Sequence, residues 1–394
     1  MKSILVVFGT RPEAIKMAPV VQALRELEQV KVEICVTGQH KEMLHDVLRV
    51  FTITPDYDLS LMRPNQGLVE ITTAVLTGIN TLFLKKKYDI VLVHGDTTTT
   101  LSTSLAAFYH KIPVAHIEAG LRTYDIHSPW PEELNRRVTT LITSYHFAPT
   151  AAARLNLLGE GIHDQSIIVT GNTVIDALFA IKKRIETDQT LHTALLAKFS
   201  YLQDDKKIIL VTMHRRENFG KNLEQTCSAI QKIAQRSDVQ IIYPVHFNPN
   251  VRGPVKEKLS DIEHVFLIEP QQYVEFVYLM LRADIILTDS GGVQEEAPSL
   301  GKPVLVTRDT TERPEAIEAG TVKLVGTEYD KIISTINLLL DDPKSYQKMA
   351  NAKNPYGDGT AARRICEHIR CYLWDQSKPQ TLPLSTDINL LQLT

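Results

Sequence analysis

The sequence predicts an α/β protein, and three observations support this fold class. Short apolar runs of strand length alternate with stretches of helical pattern along almost the whole chain, an alternation that indicates parallel sheets. The runs number twelve and fall into two sets of six. The length of 394 residues is enough for two domains of ordinary size. We therefore predict two Rossmann-like, doubly wound domains that face each other across a cleft.

The positions of the predicted strands set the domain boundaries. In the first domain the strands are 4–8, 32–37, 90–94, 114–118, 145–147 and 167–170. In the second domain they are 207–212, 240–245, 265–269, 284–287, 304–306 and 321–325. We assign residues 1–172 to an N-terminal Rossmann-like domain and residues 173–360 to a C-terminal one. A helix over 361–377 is expected to cross back to the first domain, and 378–394 form a polar tail.

The composition is that of an ordinary globular protein, with 43% hydrophobic and 23% charged residues. A formal net charge of −3 argues against a surface that binds nucleic acid by bulk electrostatics. The four cysteines form no CxxC pair, which favours reduced thiols in a cytoplasmic protein over disulfides or a zinc site. No apolar run reaches the length of a membrane span, and the first run is too short for a signal peptide.

One stretch of the second half has the pattern of a ligand-binding strand–turn–helix unit. An apolar strand ends at the turn Ser290-Gly291-Gly292, and a helix is predicted over 293–300. Ser290 is a natural N-cap, and the glycines let a ligand approach the unpaired N–H groups of the helix, which suits a phosphate. Glu296 could then bind ribose hydroxyls, and Arg313 could hold a phosphate oxygen. The alternative is a purely structural unit without a ligand.

The turn after the first strand carries two cations, Arg11 and Lys16. Thr10 and Glu13 have the spacing of a capping box, so the structural alternative is simply a well-made helix start. The chain contains neither GxGxxG nor GxxxxGK[ST]. That absence weighs against a dinucleotide fingerprint and against a P-loop.

Carboxylates follow the later strands of the first domain. Asp96 comes after the third strand, Glu118 closes the fourth, and Glu132 and Glu133 begin a later helix. A carboxylate at the end of an apolar strand is costly to bury without a partner, which favours a cleft position for Glu118. Asp96 could instead cap the next helix, and one of the two adjacent glutamates could be ordinary helix-terminus charge.

The second domain places further polar groups after its strands. His214 and Arg215 follow its first strand, His246 its second and Gln271 its third. Phe276, a few residues later, could stack on a base, although a core phenylalanine is the usual case. The carboxyl ends of parallel strands meet at one edge of a sheet. We therefore expect one cleft with a phosphate-binding side in the second domain and a carboxylate side in the first, suited to proton chemistry on a sugar.

Long blocks of the sequence resemble the bacterial non-hydrolysing UDP-N-acetylglucosamine 2-epimerases over about residues 1–371. The blocks are FGTRPEAIKMAP, HGDTTTT, HIEAGLRT, PWPEELNR, GNTVIDAL, HRREN, YPVHFNPN and LTDSGGVQEEAPSLGKPVL. The resemblance implies a fold of the GT-B glycosyltransferase type, a homodimer, and reversible conversion of UDP-GlcNAc to UDP-ManNAc for cell-surface polysaccharide. It implies neither a nicotinamide nor a metal, and no other cofactor.

The resemblance also implies a mechanism and a set of site residues. UDP leaves carbon 1 as a base removes the proton on carbon 2, giving 2-acetamidoglucal, and UDP and a proton then add back. The implied catalytic residues are Asp96, Glu118, Glu132 and His214. The implied UDP-binding residues are Arg11, Lys16, Gln271, Phe276, Ser290, Gly291, Gly292, Glu296 and Arg313. Gln39 and His246 resemble parts of an activator site that some members have, although Glu42 and Asn65 stand where a glutamine and an arginine are expected.

Three alternatives share parts of this pattern. A UDP-sugar-dependent glycosyltransferase of the GT-B fold would use the same nucleotide site but would not need three carboxylates in the first domain. A hydrolysing UDP-GlcNAc 2-epimerase would release free ManNAc. A non-catalytic UDP-sugar sensor would have no reason to keep Asp96, Glu118 and Glu132 together. UDP-sugars altered at carbon 3 or carbon 6 remain possible substrates.

Overall fold

The computed structural model describes residues 1–38, 41–61 and 66–374. The chain divides into two compact units. Unit 1 comprises Met1–Ala177 together with the described residues from Tyr356 onward, and unit 2 comprises Leu178–Pro355. The predicted boundaries, after 172 and after 360, lie a few residues from these divisions. The predicted tail 378–394 lies outside the described residues.

Unit 1 is an alternation of strands and helices. Its strands are β1 (Lys2–Phe8), β2 (Val30–Val36), β3 (Tyr57–Asp58), β4 (Ile90–His94), β5 (Val114–Ile117), β6 (Tyr145–Ala148) and β7 (Ile167–Val169). Its helices are α1 (Arg11–Arg25), α2 (Lys41–Val50), α3 (Leu68–Lys85), α4 (Thr98–Tyr109), α5 (Glu132–Ile142) and α6 (Ala151–Gly159). Helix α7 (Thr173–Thr187) begins in unit 1 and ends in unit 2.

Unit 2 continues the alternation. Its strands are β8 (Lys207–Thr212), β9 (Val239–Pro244), β10 (Val265–Ile268), β11 (Ile285–Thr288), β12 (Val304–Val306) and β13 (Val322–Leu324). Its helices are α8 (Gln189–Lys198), α9 (Lys221–Ile233), α10 (Pro249–Leu259), α11 (Tyr273–Arg282), α12 (Gly291–Glu296), α13 (Pro314–Glu318), α14 (Tyr329–Asp341) and α15 (Pro343–Ala350). The chain then returns to unit 1, where it forms α16 (Ala361–Trp374).

Each unit contains one parallel sheet. The strand order is β3-β2-β1-β4-β5-β6-β7 in unit 1 and β10-β9-β8-β11-β12-β13 in unit 2. All twelve predicted strands are present. The prediction of six strands for the first domain was wrong by one, because β3 is only two residues long and pairs with β2 without an apolar run of its own. In both sheets the order reverses beside the first strand of the unit, which is where open α/β sheets bind ligands.

The apolar runs form strands because both faces of each sheet are covered. In β1, Ile4 to Phe8 are all at most 1% exposed, as are Leu210 and Val211 of β8. Parallel strands that are buried on both faces have continuous rather than alternating apolar sequences. This arrangement leaves only the strand ends and the loops after them for polar side chains.

Helix α3 is the only helix in the described ranges that is long and apolar enough to cross a membrane by length and composition. The helix packs its buried residues Val75, Ile79, Leu82 and Phe83 into the core of unit 1. Core helices pass the same test, so the helix is weak evidence for a membrane.

Helix α16 packs on α1 within unit 1. The Cys366 thiol lies 3.3 Å from the carbonyl oxygen of Ala23, and Ile365, Ile369 and Leu373 are buried. The C-terminal segment thus contributes core residues to the unit that contains the N-terminus.

Candidate active site

A buried carboxylate joins the loops that follow β1 and β4. Glu13 is 3% exposed and forms the predicted capping box with Thr10 at the start of α1. Its Oε2 accepts hydrogen bonds from the N–H groups of Gly9 and Thr10, at 3.0 and 2.8 Å. Its Oε1 accepts one from the hydroxyl of Thr97 at 2.8 Å. Glu13 therefore caps α1, and it also fixes the loop that carries Asp96.

Asp96 lies in that loop and pairs with an arginine of α5. Its carboxylate is 2.8 Å from the guanidinium of Arg136, and its carbonyl accepts a hydrogen bond from the Asn135 amide. Burial raises the pKa of Asp96 above its usual value, Arg136 opposes the rise, and the charges of Glu118 and Glu132 add to it. Asp96 does not cap α4, because Thr97 is the N-cap residue there.

Glu118 follows β5 with a backbone φ of +63°, a conformation that residues other than glycine rarely adopt. Its Oε2 accepts a hydrogen bond from the Lys16 ammonium and another, at 3.0 Å, from the Asn172 amide. The Nε2 atom of His94 is 3.6 Å from the same oxygen. Burial would raise the pKa of Glu118, but Lys16 and His94 outweigh it and hold the pKa well below its usual value.

The two adjacent glutamates of α5 have different environments. Glu133 is fully buried and accepts hydrogen bonds from the N–H groups of Thr123 and Tyr124, at 3.1 and 3.2 Å. Glu132 is partly exposed, and in the described part of the chain its carboxylate has no hydrogen-bond partner. Glu133 therefore holds the preceding loop, whereas Glu132 remains available for chemistry.

In unit 2, Asp289 organises the loop that follows β8. This aspartate is fully buried and accepts hydrogen bonds from the N–H groups of His214 and Arg215, both at 2.9 Å, and from the Asn218 amide at 3.0 Å. The Nδ1 atom of His214 lies 3.2 Å from its other oxygen. Burial would raise the pKa of Asp289, but the His214 contacts and these N–H groups outweigh it and lower the pKa.

The turn after β11 and Arg313 lie against each other. A Cβ atom added to Gly291 would lie 2.6 Å from the Arg313 guanidinium, so a glycine is needed for this approach. The guanidinium is held by Glu295 at 2.7 Å. Ser290 is the N-cap residue of α12 but its side chain makes no capping bond. The helix predicted over 293–300 is α12 followed by a 3-10 turn, Ala297–Leu300.

The remaining predicted residues of unit 2 lie at the end of α12 and at the start of α11. Glu296 is 8% exposed and accepts a hydrogen bond from the hydroxyl of Tyr273 at 2.8 Å. Gln271 donates its amide to the carbonyl of Glu269 just before α11, and Phe276 is partly buried in that helix. All of these residues follow strands of one parallel sheet, which places them at its carboxyl edge.

His246 stacks on His214, with ring centroids 5.7 Å apart. The N–H of Asn248 donates to its Nδ1 at 3.1 Å, which leaves Nε2 as the protonated nitrogen of the neutral ring. Burial and the neighbouring His214 lower the pKa of His246. Gln39 and Asn65 lie outside the described residues, so an activator role for His246 stays a prediction.

The two units thus carry complementary chemistry. Unit 1 brings together the carboxylates Asp96, Glu118 and Glu132, which can move protons, and the cations Lys16 and Arg136, which pair with Glu118 and Asp96. Unit 2 brings together His214, the Ser290 turn and Arg313, which can bind phosphate oxygens. Within the described ranges, no group of three or more His, Cys, Asp or Glu side chains could hold a metal ion.

Comparisons with known proteins identify the family. The sequence profile of the family described as UDP-N-acetylglucosamine 2-epimerase matches residues 22–370. The chain belongs to this family. It is 56% identical to the UDP-N-acetylglucosamine 2-epimerase of Escherichia coli strain K12 over 93% of this chain and 98% of that protein.

Solved structures of UDP-GlcNAc 2-epimerases have the same fold. The crystal structure of the Neisseria meningitidis protein, bound to UDP-GlcNAc, has a TM-score of 0.86 at 53% identity and covers 93% of this chain and 99% of that one. The Methanocaldococcus jannaschii protein, in complex with UDP-GlcNAc and UDP, has a TM-score of 0.77 at 36% identity and covers 94% and 99%. The two-domain α/β fold of the GT-B type predicted from the sequence is confirmed.

Several residues of this family member that shape the site were missed by the sequence reasoning. Asp289 directly precedes Ser290 in the motif TDSGG, and Arg136 lies four residues after Glu132 in the motif EELNR, but their hydrogen-bonding roles have no signal in the sequence. Asn172 lies in the GNTVIDAL block, to which no role was given. Glu13 was interpreted only as a capping residue, although it also binds the loop of Asp96.

Proposed function

We propose that this protein interconverts UDP-GlcNAc and UDP-ManNAc without net hydrolysis. The observation that carries the proposal is the carboxylate cluster of unit 1, in which the charges of Glu118 and Glu132 act on Asp96. Epimerisation at carbon 2 must remove a proton from one face of the sugar and return one to the other. A binding protein or a simple transferase has no need for such a cluster.

Unit 2 is proposed to bind the nucleotide. The Ser290-Gly291-Gly292 turn, Arg313 and His214 would contact the pyrophosphate, Glu296 the ribose, and Gln271 and Phe276 the uracil. The close approach of the Arg313 guanidinium to Gly291 supports this assignment, because it places the guanidinium beside the N-terminus of α12. Arg11 of unit 1, the first residue of α1, is proposed as a further phosphate contact.

Unit 1 is proposed to move the protons. Environments that push two pKa values apart mark candidate acid and base pairs. The pKa of Glu118 is lowered and that of Asp96 is raised, so Glu118 starts charged, as the base, whereas Asp96 holds a proton more readily, as the acid. Glu132 is proposed to assist on the face that Asp96 serves. Lys16 is assigned to Glu118 and, through it, to the sugar side of the substrate.

The proposed reaction begins with departure of UDP from carbon 1. The carbon 2 proton is only weakly acidic, so the growing charge on the pyrophosphate must be stabilised by His214, Arg11 and the Ser290 turn. Removal of the proton gives 2-acetamidoglucal, which stays bound. UDP then adds back to carbon 1 as a proton returns to the other face of carbon 2. Each positioned acid or base is worth roughly 10²–10⁴ in rate.

Proton NMR of the protein with UDP-GlcNAc in deuterated water tests this reaction. Deuterium at carbon 2 with UDP-ManNAc accumulating to a fixed ratio is the expected result. Free ManNAc and UDP would instead indicate the hydrolysing reaction, and unchanged UDP-GlcNAc would contradict the proposed substrate. The Glu118→Gln variant should lose turnover while it binds UDP within about twofold of wild type, because the proposed nucleotide residues lie mainly in the other unit.

We also propose that the protein acts as a homodimer. Helices α3 and α4 pack side by side and expose Val69 and Leu84 of α3, at 80% and 73%, and Phe108 and Tyr109 of α4, at 56% and 66%. Exposed apolar side chains on neighbouring helices are typical of a contact surface. A Leu84→Glu/Phe108→Glu double variant should be monomeric by sedimentation, and a dimer that persists would place the interface elsewhere.

A cytoplasmic location is part of the same proposal. All four cysteines are unpaired, and Cys35, Cys227 and Cys366 are buried. Unpaired thiols suit a reducing compartment.

A further inference from the structure

Asn172 connects the proposed base to the helix that leaves unit 1. It is 4% exposed and immediately precedes α7. Its Oδ1 accepts a hydrogen bond from the N–H of Val174, and its Nδ2 donates one to Oε2 of Glu118, both at 3.0 Å. A single planar amide therefore caps α7 on one side and binds the carboxylate on the other.

The contacts of Glu118 are unequal between its two oxygens. The Lys16 ammonium, the Asn172 amide and the His94 ring all lie against Oε2. Among residues 1–38, 41–61 and 66–374, no hydrogen bond or ion pair is made to Oε1. An oxygen that already accepts two hydrogen bonds has little capacity left for a proton, so the geometry leaves Oε1 for proton exchange.

The backbone of Asn172 is itself fixed where the chain returns to unit 1. Its N–H donates to the carbonyl of Tyr356 at 2.7 Å. A Cβ atom on Gly171 would lie 3.3 Å from the Cα of Gly357, and Gly171 has a φ of +91°, so a glycine is required at this crossing. The carboxylate of Asp176, one turn into α7, accepts hydrogen bonds from the first two N–H groups of α16. The amide that binds Glu118 is thus held from several directions.

We infer that Asn172 is a positioning residue for epimerisation, which holds Oε2 of Glu118 so that Oε1 is the oxygen that exchanges a proton with carbon 2 of the sugar. The inference rests on the proposed function, in which Glu118 is a base. Asn172 acts only through Glu118 and is not a catalytic residue. Asn172 also caps α7. Substitutions can separate this structural role from its role in holding Glu118.

The variants Asn172→Asp and Asn172→Ser separate the capping role of Asn172 from its hydrogen bond to Glu118. Both side chains keep an oxygen that can cap α7, so both variants should fold with melting temperatures close to that of wild type. The serine is too short to reach Glu118 and simply removes the hydrogen bond. The aspartate replaces the donor with a negative oxygen beside Oε2. A like charge this close raises a carboxylate pKa by about 1–3.

The pH profile of the variants provides the decisive measurement. The charged or titratable groups around Glu118 are Lys16 from α1, His94 from β4 and Asp96 from the following loop. These groups are unchanged in both variants, so a shift reports the change at position 172: loss of the donor in Asn172→Ser, and loss of the donor plus a new negative charge in Asn172→Asp. For Asn172→Asp we expect the acidic limb of kcat/KM to move up by at least about one pH unit and kcat to fall about 100-fold. For Asn172→Ser we expect a fall in kcat of about tenfold with a smaller shift.

UDP affinity serves as the internal control and should stay within about twofold of wild type in both variants. A folded Asn172→Asp protein with wild-type kcat and an unshifted acidic limb would overturn the inference and leave Asn172 as a helix cap only. If that variant does not fold, wild-type kcat in Asn172→Ser overturns the inference in the same way. Failure of the proposed function would give a different result, because the Glu118→Gln variant would then keep wild-type turnover and Glu118 would not be the base.

Discussion

The buried carboxylate of Asp289 holds His214 at two points, its backbone N–H at 2.9 Å and its imidazole Nδ1 at 3.2 Å. A carboxylate can only accept hydrogen bonds, so Nδ1 carries the hydrogen and Nε2 is the nitrogen available to a ligand. The ring is 37% exposed. Asp289, which directly precedes Ser290, therefore orients His214, a residue proposed to contact the pyrophosphate.

Substitution of Asp289 by asparagine should remove this orientation. We expect kcat to fall about 100-fold and the free energy of unfolding to fall by about 2 kcal/mol, since the N–H groups that bind the carboxylate lose a charged acceptor. The folded pKa is lowered, so the contribution of Asp289 is fully present above its ordinary pKa of 3.8 and is lost only below it. Urea unfolding should give the same difference from wild type at pH 7 and at pH 5. A difference that shrinks between these pH values would contradict the account.

The neighbouring glutamates of α5 form a matched pair for mutagenesis. Glu133→Gln should lower the free energy of unfolding by about 2 kcal/mol, because the buried carboxylate accepts the N–H groups of Thr123 and Tyr124 and lies 3.5 Å from Arg136. Glu132→Gln should leave stability unchanged and lower kcat by roughly 10²–10⁴. Denaturant melts and steady-state kinetics on both variants test the division. Equal losses of stability would show that Glu132 also has a structural role.

Gly291→Ala should weaken nucleotide binding. The new methyl group would lie only 2.6 Å from the Arg313 guanidinium. It would therefore displace the Arg313 side chain, which Glu295 holds in place. We expect UDP to bind about tenfold more weakly, or about 1.4 kcal/mol, by isothermal titration calorimetry. Gly253→Ala in α10 is the control, because its added Cβ meets nothing within 4 Å. Wild-type affinity in Gly291→Ala would separate Arg313 from the nucleotide site.

Two buried histidines predict how stability depends on pH. Burial lowers the pKa of His116 to about 3 and that of His146 to about 4, and each ring lies against a backbone carbonyl oxygen. Below pH 6.5 the unfolded chain takes up protons that the folded chain refuses, so stability should fall as the pH is lowered from 6.5 towards 4. Each histidine contributes up to about 1.4 kcal/mol per pH unit. Unfolding midpoints at pH 7, 6 and 5 measure this slope, and a flat profile would contradict the neutral, buried state.

The sequence determined the fold because its signals are local. Continuous apolar runs specify strands that are buried on both faces, and the turn residues between them specify where each strand ends. Since parallel strands end at one edge of a sheet, the positions of Asp96, Glu118, His214 and Ser290 in the sequence were enough to place them at the carboxyl edges of the two sheets. The capping box of Thr10 and Glu13 is predictable for the same reason, because its residues lie within one helical turn.

The tertiary structure decided which side chains are partners. Lys16 and Glu118 are 102 residues apart, and Asn172 is 54 residues from Glu118. No local pattern specifies that Lys16 binds a carboxylate in unit 1, or that Glu133 rather than Glu132 is the structural glutamate. These choices depend on burial and on donor geometry, which exist only after the strands have been brought together. The sequence by itself therefore determined the sheet edge at which the candidate site lies, and the packed structure decided which side chains bind each carboxylate.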